Sequence, residues 1–352
     1  MSDQSRGAPR VAVVTCLRDE GPFITEWVAH LRGLGVSRIL AFSNDCTDGT
    51  EAVLDALSPA GVVHVPQGTV RGLAGPTPQW RALRQAWDHP ALDGFDWLLH
   101  LDVDEFIALN GPRTLAELIA NCGAAQAIAL PWRLFGCDGR LTPGQGITPE
   151  RFSRCAPVDM VFPALGSFFK TLFHRDGPFT GFGVHRPAQS APPAFADCTG
   201  ALSTDLAESP ARILHPPRQV SGGLVQLNHY STRSIHEFLA KRLRGLPNRT
   251  DKAIDLTYWI ERNFNQVPCD MIAPQLPELH ATLADLRALP GVATAEARAR
   301  DWHATQLETV LASAEGAHLC GRLVLAGGSI APDPRLGRAL LRQAQLAGRD
   351  AT

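Results

Sequence analysis

Between residues 11 and 131 strand signals and helix signals alternate, and that alternation constrains the fold of this 352-residue chain more than any other property. Val11-Ala12-Val13-Val14-Thr15 is a short apolar, β-branched run. Arg38 to Ser43, Val62 to Val65, Trp97 to Leu101 and Ala127 to Leu130 read as further strands. Between them Phe23, Trp27, Leu31 and Leu34 recur at helical spacing until Gly35. Asp48 with Glu51 makes a capping-box-like start for a helix reaching Leu57. Thr77-Pro78 opens another, with Trp80, Leu83 and Trp87 on one face, and Thr114 with Glu117 caps a fourth. The pattern predicts an α/β fold, a mostly parallel sheet flanked by helices, with ligands at the carboxyl ends of its strands.

The fourth of these strands ends in Leu101-Asp102-Val103-Asp104-Glu105-Phe106. Side-chain alternation breaks at a strand end, so two carboxylates spaced i, i+2 are free to turn toward one ligand. Paired hard oxygen donors suit Mn²⁺ or Mg²⁺, which keep open positions for substrate phosphates. The motif therefore points to an enzyme that handles a diphosphate leaving group through a metal. Solvated carboxylates in a turn are the plainer alternative.

Beyond Pro131 the alternation stops. Residues 141 to 225 are rich in Pro, Gly and Phe and read as acceptor-facing loops and irregular strands laid over the sheet. Residues 232 to 265 and 274 to 316 read as helical, and an Arg- and Leu-rich helix spans about Pro334 to Gly348. A net charge of −2 gives no global field to attract nucleic acid. The eight cysteines are scattered without a C-x-x-C pair, which suits buried thiols in a reducing compartment. No apolar segment reaches the ~18 residues of a membrane helix. A cytoplasmic protein is expected, with peripheral membrane association left open.

Further motifs appear in a fixed order. Thr15-Cys16-Leu17-Arg18-Asp19-Glu20 with Trp27, then Phe42-Ser43-Asn44-Asp45-Cys46-Thr47-Asp48-Gly49-Thr50, precede the acidic motif. Trp132-Arg133-Leu134-Phe135-Gly136, Lys170, His185, Asn228-His229-Tyr230-Ser231-Thr232-Arg233-Ser234 and Glu237 to Gly245 follow it. This series resembles the family 2-like glycosyltransferases with the GT-A fold, in the subgroup related to glycosyltransferase family 92. It covers roughly residues 11 to 245, with one departure at Asp19, where the family usually has Asn.

The resemblance implies a GT-A domain over 8–245, divided into a nucleotide-binding half (8–131) and an acceptor-binding half (132–245), with a helical extension over 246–352. It implies a metal-dependent transfer of sugar from a nucleotide-diphosphate donor, UDP-linked by expectation, to a hydroxyl of a glycan or other acceptor. Asp104 would ligate the metal, and Asp102 the metal, its water or the donor ribose. His229 would supply a third ligand. Thr15, Glu20, Asn44, Asp45 and Gln79 would face the nucleotide, although an Asx-turn accounts for Asn44 and Asp45 nearly as well.

Lys170 would share the leaving-group charge; Arg233, Lys241, Arg242 and Arg244 complete the basic set, the last three reading individually as a solvated helix face. The catalytic base is expected to be Asp138, with His185 second, though Asp138-Gly139 is also an ordinary turn signal. Trp27, Trp80, Trp87 and Trp97 read as packing, and Trp132 as packing or a stacking face for a sugar ring. The rivals are a non-catalytic carbohydrate- or nucleotide-binding protein on the same fold and a sugar-nucleotidyltransferase. The second normally opens with a Gly-rich basic loop, which Thr15 to Pro22 lacks. A haloacid-dehalogenase-type phosphatase carries its acidic motif after the first strand, not the fourth.

Overall fold

The computed structural model describes residues 7–70, 75–215, 222–244 and 254–349. Strands β1 (Val11–Leu17), β2 (Val36–Ser43), β3 (Val62–Pro66) and β4 (Trp97–His100) pair in parallel in the order β3-β2-β1-β4. The alternation in the sequence produces this: each of the first three apolar runs is followed by a helix, α1 (Gly21–Gly33) and α2 (Thr50–Ala56) on one face of the sheet and α3 (Pro78–Trp87) on the other.

The sheet continues through β5 (Glu105–Leu109), β6 (Ala127–Leu134), β8 (Phe169–His174), β11 (Phe195–Ala196) and β12 (Val225–His229), with α4 (Leu115–Asn121) between β5 and β6. The order is β3-β2-β1-β4-β8-β6-β12-β5, with β11 on β6. β8 runs antiparallel between β4 and β6, so the sheet is mixed at its centre. Phe169–His174 falls in the region expected to form loops and irregular strands laid over the sheet. Its Phe169, Lys170, Thr171, Leu172 and Phe173 are instead buried in it, because the Phe- and Leu-bearing positions meet apolar layers on both faces.

Short ribbons pair β7 (Arg154–Cys155) with β13 (Val267–Pro268) and β9 (Phe179–Gly181) with β10 (Ala188–Gln189). The remaining helices are α5 (Thr148–Arg151), α6 (Thr204–Glu208), α7 (Ile235–Arg244), α8 (Leu256–Ile260), α9 (Leu276–Ala288), α10 (Val292–Ala312), α11 (Ala314–Ala326) and α12 (Pro334–Arg349). The helical C-terminal region is present, more segmented than the sequence suggests. No described helix is long and apolar enough to cross a membrane.

One apolar layer packs α1, α2, α4 and α9 against the sheet through Trp27, Leu31, Leu54, Leu118 and Leu283. The opposite layer gathers Leu83, Phe173, Phe179, Phe182 and Phe195 under α3. A third cluster, Phe238, Tyr258, Trp259, Leu319 and Leu323, ties α7 and α8 to α11. Gly21 lets α10 approach the start of α1, since a Cβ there would stand 2.5 Å from the Ala299 Cβ.

Two local readings change. Trp80 is 39% exposed and does not share the buried face of Leu83; Gln79 turns inward instead. Asp48 precedes α2 without forming a capping box. The N-cap is Gly49 in the left-handed region, Asp48 Oδ1 accepts from the Thr50 N–H, and Glu51 accepts from the Ser43 hydroxyl.

Candidate active site

β4 ends at His100, the chain turns through 101–104, and β5 leaves from Glu105 at the far edge of the sheet. The turn is closed from both sides. The Glu105 N–H donates to the Asp102 carbonyl at 3.0 Å, and the Asp102 N–H donates to Glu105 Oε2 at 2.8 Å. Glu105 is fully buried, and its other oxygen accepts from Trp132 Nε1 at 2.7 Å. It thus braces the acidic turn. Register brings in the C-terminal motif: β12 pairs antiparallel with β5, setting His229 opposite Glu105, and the Tyr230 N–H donates to the Asp104 carbonyl at 2.8 Å.

Each motif aspartate has its own ammonium. Lys170 Nζ, delivered by β8, lies 2.9 Å from Asp102 Oδ2 and 3.3 Å from Glu105 Oε2. Lys241 Nζ, from α7, lies 2.7 Å from Asp104 Oδ2 and donates to the Ser231 carbonyl. Burial pushes both aspartyl carboxyls up, but the lysines outweigh it: Asp102 is held below the usual range, and Asp104, helped by His229, well below. Burial opposes the charge of Lys170 as well, and the Asp102 and Glu105 carboxylates more than restore it.

Asp102 keeps 29% of its side chain exposed, and its Oδ1 accepts from Gln79 Nε2 at 3.1 Å. Asp104 Oδ1 stands 3.5 Å from His229 Nε2. Burial lowers the pKa of His229 by more than the neighbouring Asp104 carboxylate raises it. The two carboxylates therefore lean toward different partners. Among the described residues no group of three or more His, Cys, Asp or Glu forms a preformed metal cage.

The other expected residues distribute around this centre. Thr15 is fully buried on β1 with its hydroxyl unpaired. Glu20 Oε2 lies 3.5 Å from Arg233 Nη1, whose guanidinium covers the Phe23 ring at 3.6 Å. Asn44 Nδ2 donates to Asp45 Oδ2 at 3.0 Å, and Asp45 sits in the left-handed region, which aspartate tolerates. Asp19 Oδ1 accepts from the N–H groups of Thr47 and Asp48, so the Asp in place of Asn still supplies the acceptor that shapes this turn. Gln79 faces Asp102.

His185 packs edge-on to Trp132 and Phe168, with centroids 5.2 and 4.8 Å away, and Trp132 in turn lies 4.2 Å from the His229 ring. His185 Nδ1 is 3.1 Å from the Phe169 carbonyl, which only accepts, so the Nε2 lone pair stays free of that contact. Burial lowers His185 to about 3 and keeps it neutral. Asp138 is engaged elsewhere: its Oδ2 accepts from the Ser153 N–H and hydroxyl, in the loop that Asn265 fastens to the Asp138 N–H. Arg242 pairs with Glu315 at the surface, and the Arg244 side chain and Gly245 lie outside the described residues.

Three features escaped sequence reasoning. Lys241 read as solvated helix face and is buried against Asp104. His100, buried before the motif and lowered to about 3 by burial, places Nδ1 3.1 Å from both Lys170 Nζ and the Val184 carbonyl. The Trp132 indole bridges Glu105 and His229. One signal was available: the chain has only three lysines among 33 basic residues, and two of them sit on the two motif aspartates.

No protein-family model matches the chain. A glycosyltransferase family 92 protein of Oryza sativa subsp. japonica is 27% identical over 176 residues, 46% of this chain and 29% of that protein. One of Ricinus communis is 25% identical over 187 residues, 47% of this chain and 32% of its own length. The chain thus spans about three tenths of the curated relatives it matches. Among solved structures, core-mannan synthase A from Aspergillus fumigatus, in an Mn/GDP form, superposes with a TM-score of 0.25 at 10% identity, over 50% of this chain and 62% of that one. The mannosyltransferase Ktr4p from S. cerevisiae gives 0.24 at 9% identity, over 39% and 42%. Superpositions that loose say nothing about this chain's chemistry. Over a little under half of its length the chain is thus similar in sequence to the glycosyltransferase family 92 proteins.

Proposed function

We propose that the chain is a metal-dependent glycosyltransferase that moves a sugar from a nucleoside-diphosphate donor, UDP-linked in the first instance, to a hydroxyl of a glycan or other acceptor. The observation that carries the reading is the convergence of Asp102, Asp104, His229 and Lys170 at the end of β4, from three separated stretches of chain.

The donor set suits Mn²⁺ or Mg²⁺. Asp104 Oδ1 and His229 Nε2 stand 3.5 Å apart, close to the ~3 Å between adjacent ligands of an octahedral ion. Such ions take one or two protein carboxylates and complete their shell with substrate phosphates, so a three-residue cage is not needed. Asp104 and His229 would hold the ion and Asp102 its water or the donor ribose; the ion would neutralise charge on the departing diphosphate.

The remaining work falls to the chain itself. Lys170 supplies a fixed positive charge to the leaving group. Thr15, Glu20, Asn44 and Asp45 border the nucleotide, and Gln79 sets the Asp102 carboxylate. For the acceptor proton His185 is favoured over Asp138 on position: it packs on the Trp132 that touches His229, whereas Asp138 Oδ2 faces Ser153.

Thermal unfolding with a panel of nucleoside diphosphates, with and without Mn²⁺, tests the donor site on wild type and Asp104→Ala. Stabilisation by one diphosphate that needs Mn²⁺ and vanishes in Asp104→Ala is the expected result. Stabilisation indifferent to metal and to Asp104, or none at all, overturns it. Turnover with the matching sugar nucleotide then separates a transferase from a binding protein.

A further inference from the structure

Helix α12 plays no part in the site, and its charged residues are all arginines. Residues 334–349 carry Arg335, Arg338, Arg342 and Arg349 and no acidic residue, in a chain whose net charge is −2. The helix rests on the body through Gly337, where a Cβ would meet Val161 Cγ2 at 2.5 Å. At 3.6 residues per turn, Arg335, Arg338 and Arg342 fall within a sector of about 60°, away from that contact. All three are exposed. Leu346 borders the same sector and Leu336 lies further round, 61% and 50% exposed. The chain leading into the helix adds Leu325 and Ile330, 88% and 80% exposed.

We propose that this face docks α12 parallel to the surface of an anionic lipid bilayer. Guanidiniums call for several phosphate acceptors, and exposed leucines call for an apolar phase; a bilayer interface offers both within the width of one helix. Nucleic acid would satisfy the arginines and leave the leucines in water. A second copy of the chain would have to bring an acidic face to meet three guanidiniums. A helix with no acidic residue, one arginine sector and leucines beside it is the composition of a segment that lies on a membrane, and none of the described helices is built to cross one.

Co-sedimentation of the full chain with vesicles tests the proposal. Binding is expected to vesicles of phosphatidylcholine mixed with phosphatidylglycerol, not to phosphatidylcholine alone, and to fall as salt is raised. The triple variant Arg335→Glu, Arg338→Glu, Arg342→Glu should lower the partition coefficient about a hundredfold or more. Leu336→Ser with Leu346→Ser should lower it at unchanged charge. Both variants alter exposed side chains, and unchanged circular dichroism and thermal midpoint would confirm that the fold is intact. Equal binding to both vesicle types, no binding to either, or variants that bind like wild type would overturn the proposal. So would variants whose effect is on the sedimentation mass of the chain without lipid, which would make the face a contact between copies.

Discussion

The Lys241 ammonium lies 2.7 Å from the Asp104 carboxylate although 137 residues separate them in the chain. Both side chains are buried. Lys241→Met removes a counter-charge without supplying water, and breaking a buried pair from one side costs about 3–5 kcal/mol. Denaturant unfolding should show that loss. Under the proposed metal reading, Mn²⁺ should restore more stability to Lys241→Met than it adds to wild type, because Asp104 then lacks its other cation. Equal metal effects on the two proteins would count against Asp104 as a ligand.

Trp132 Nε1 donates to Glu105 Oε1, and Glu105 is fully sequestered. Trp132→Phe keeps an aromatic ring beside His229 and deletes the donor. Leaving a buried acceptor unmet costs about 1–3 kcal/mol. A Trp132→Phe, Glu105→Gln double-mutant cycle measures the coupling, and a coupling near zero would remove Glu105 as the brace of the acidic turn.

His30 on α1 makes a prediction about acid. Burial lowers it to about 3, while an unfolded histidine titrates near ~6.5. Above ~6.5 neither state is protonated and His30 has no pH effect. As pH falls from ~6.5 toward about 3 the unfolded chain takes up a proton that the folded chain refuses, so stability drops by about 1.4 kcal/mol per pH unit. His30→Leu should flatten the acid limb of the stability–pH curve by one proton. An unchanged slope would show that His30 titrates alike in both states.

Gly183 sits two residues before His185, and a Cβ there would stand 2.0 Å from the Arg186 carbonyl oxygen. Gly183→Ala must displace backbone, not a flexible side-chain tip, at about 1–3 kcal/mol. Because Val184 and His185 both make contacts in the site, acceptor KM should rise more than donor KM. A variant with wild-type stability and kinetics would show that the segment yields freely.

The strands β1 to β4 were legible because each is a compact apolar run flanked by turn or cap residues, and parallel pairing needs little more than that. β8 was not. Phe169-Lys170-Thr171-Leu172-Phe173 carries a lysine, which interrupts the apolar run until the paired carboxylates that accept it are known. Lys241 failed in the same way, since its partner is far away in sequence. Trp80 failed in the opposite direction: helical spacing assigned it to the core, while the buried position on that face went to Gln79 and its bond to Asp102. The acidic turn could be read from local chemistry, whereas the partners that set its charge could be found only through tertiary pairing.

β8 threads between β4 and β6 after both have been synthesised. A polypeptide ending at residue 131 would therefore carry β4 with one edge bare, and Asp102 without the ammonium that pairs with it. The nucleotide and acceptor halves named from the sequence are accordingly not interchangeable modules. Recombining one with a foreign counterpart would have to cut through the middle of the sheet, so natural or engineered variety is better sought in the loops at the strand ends and in the helices behind them.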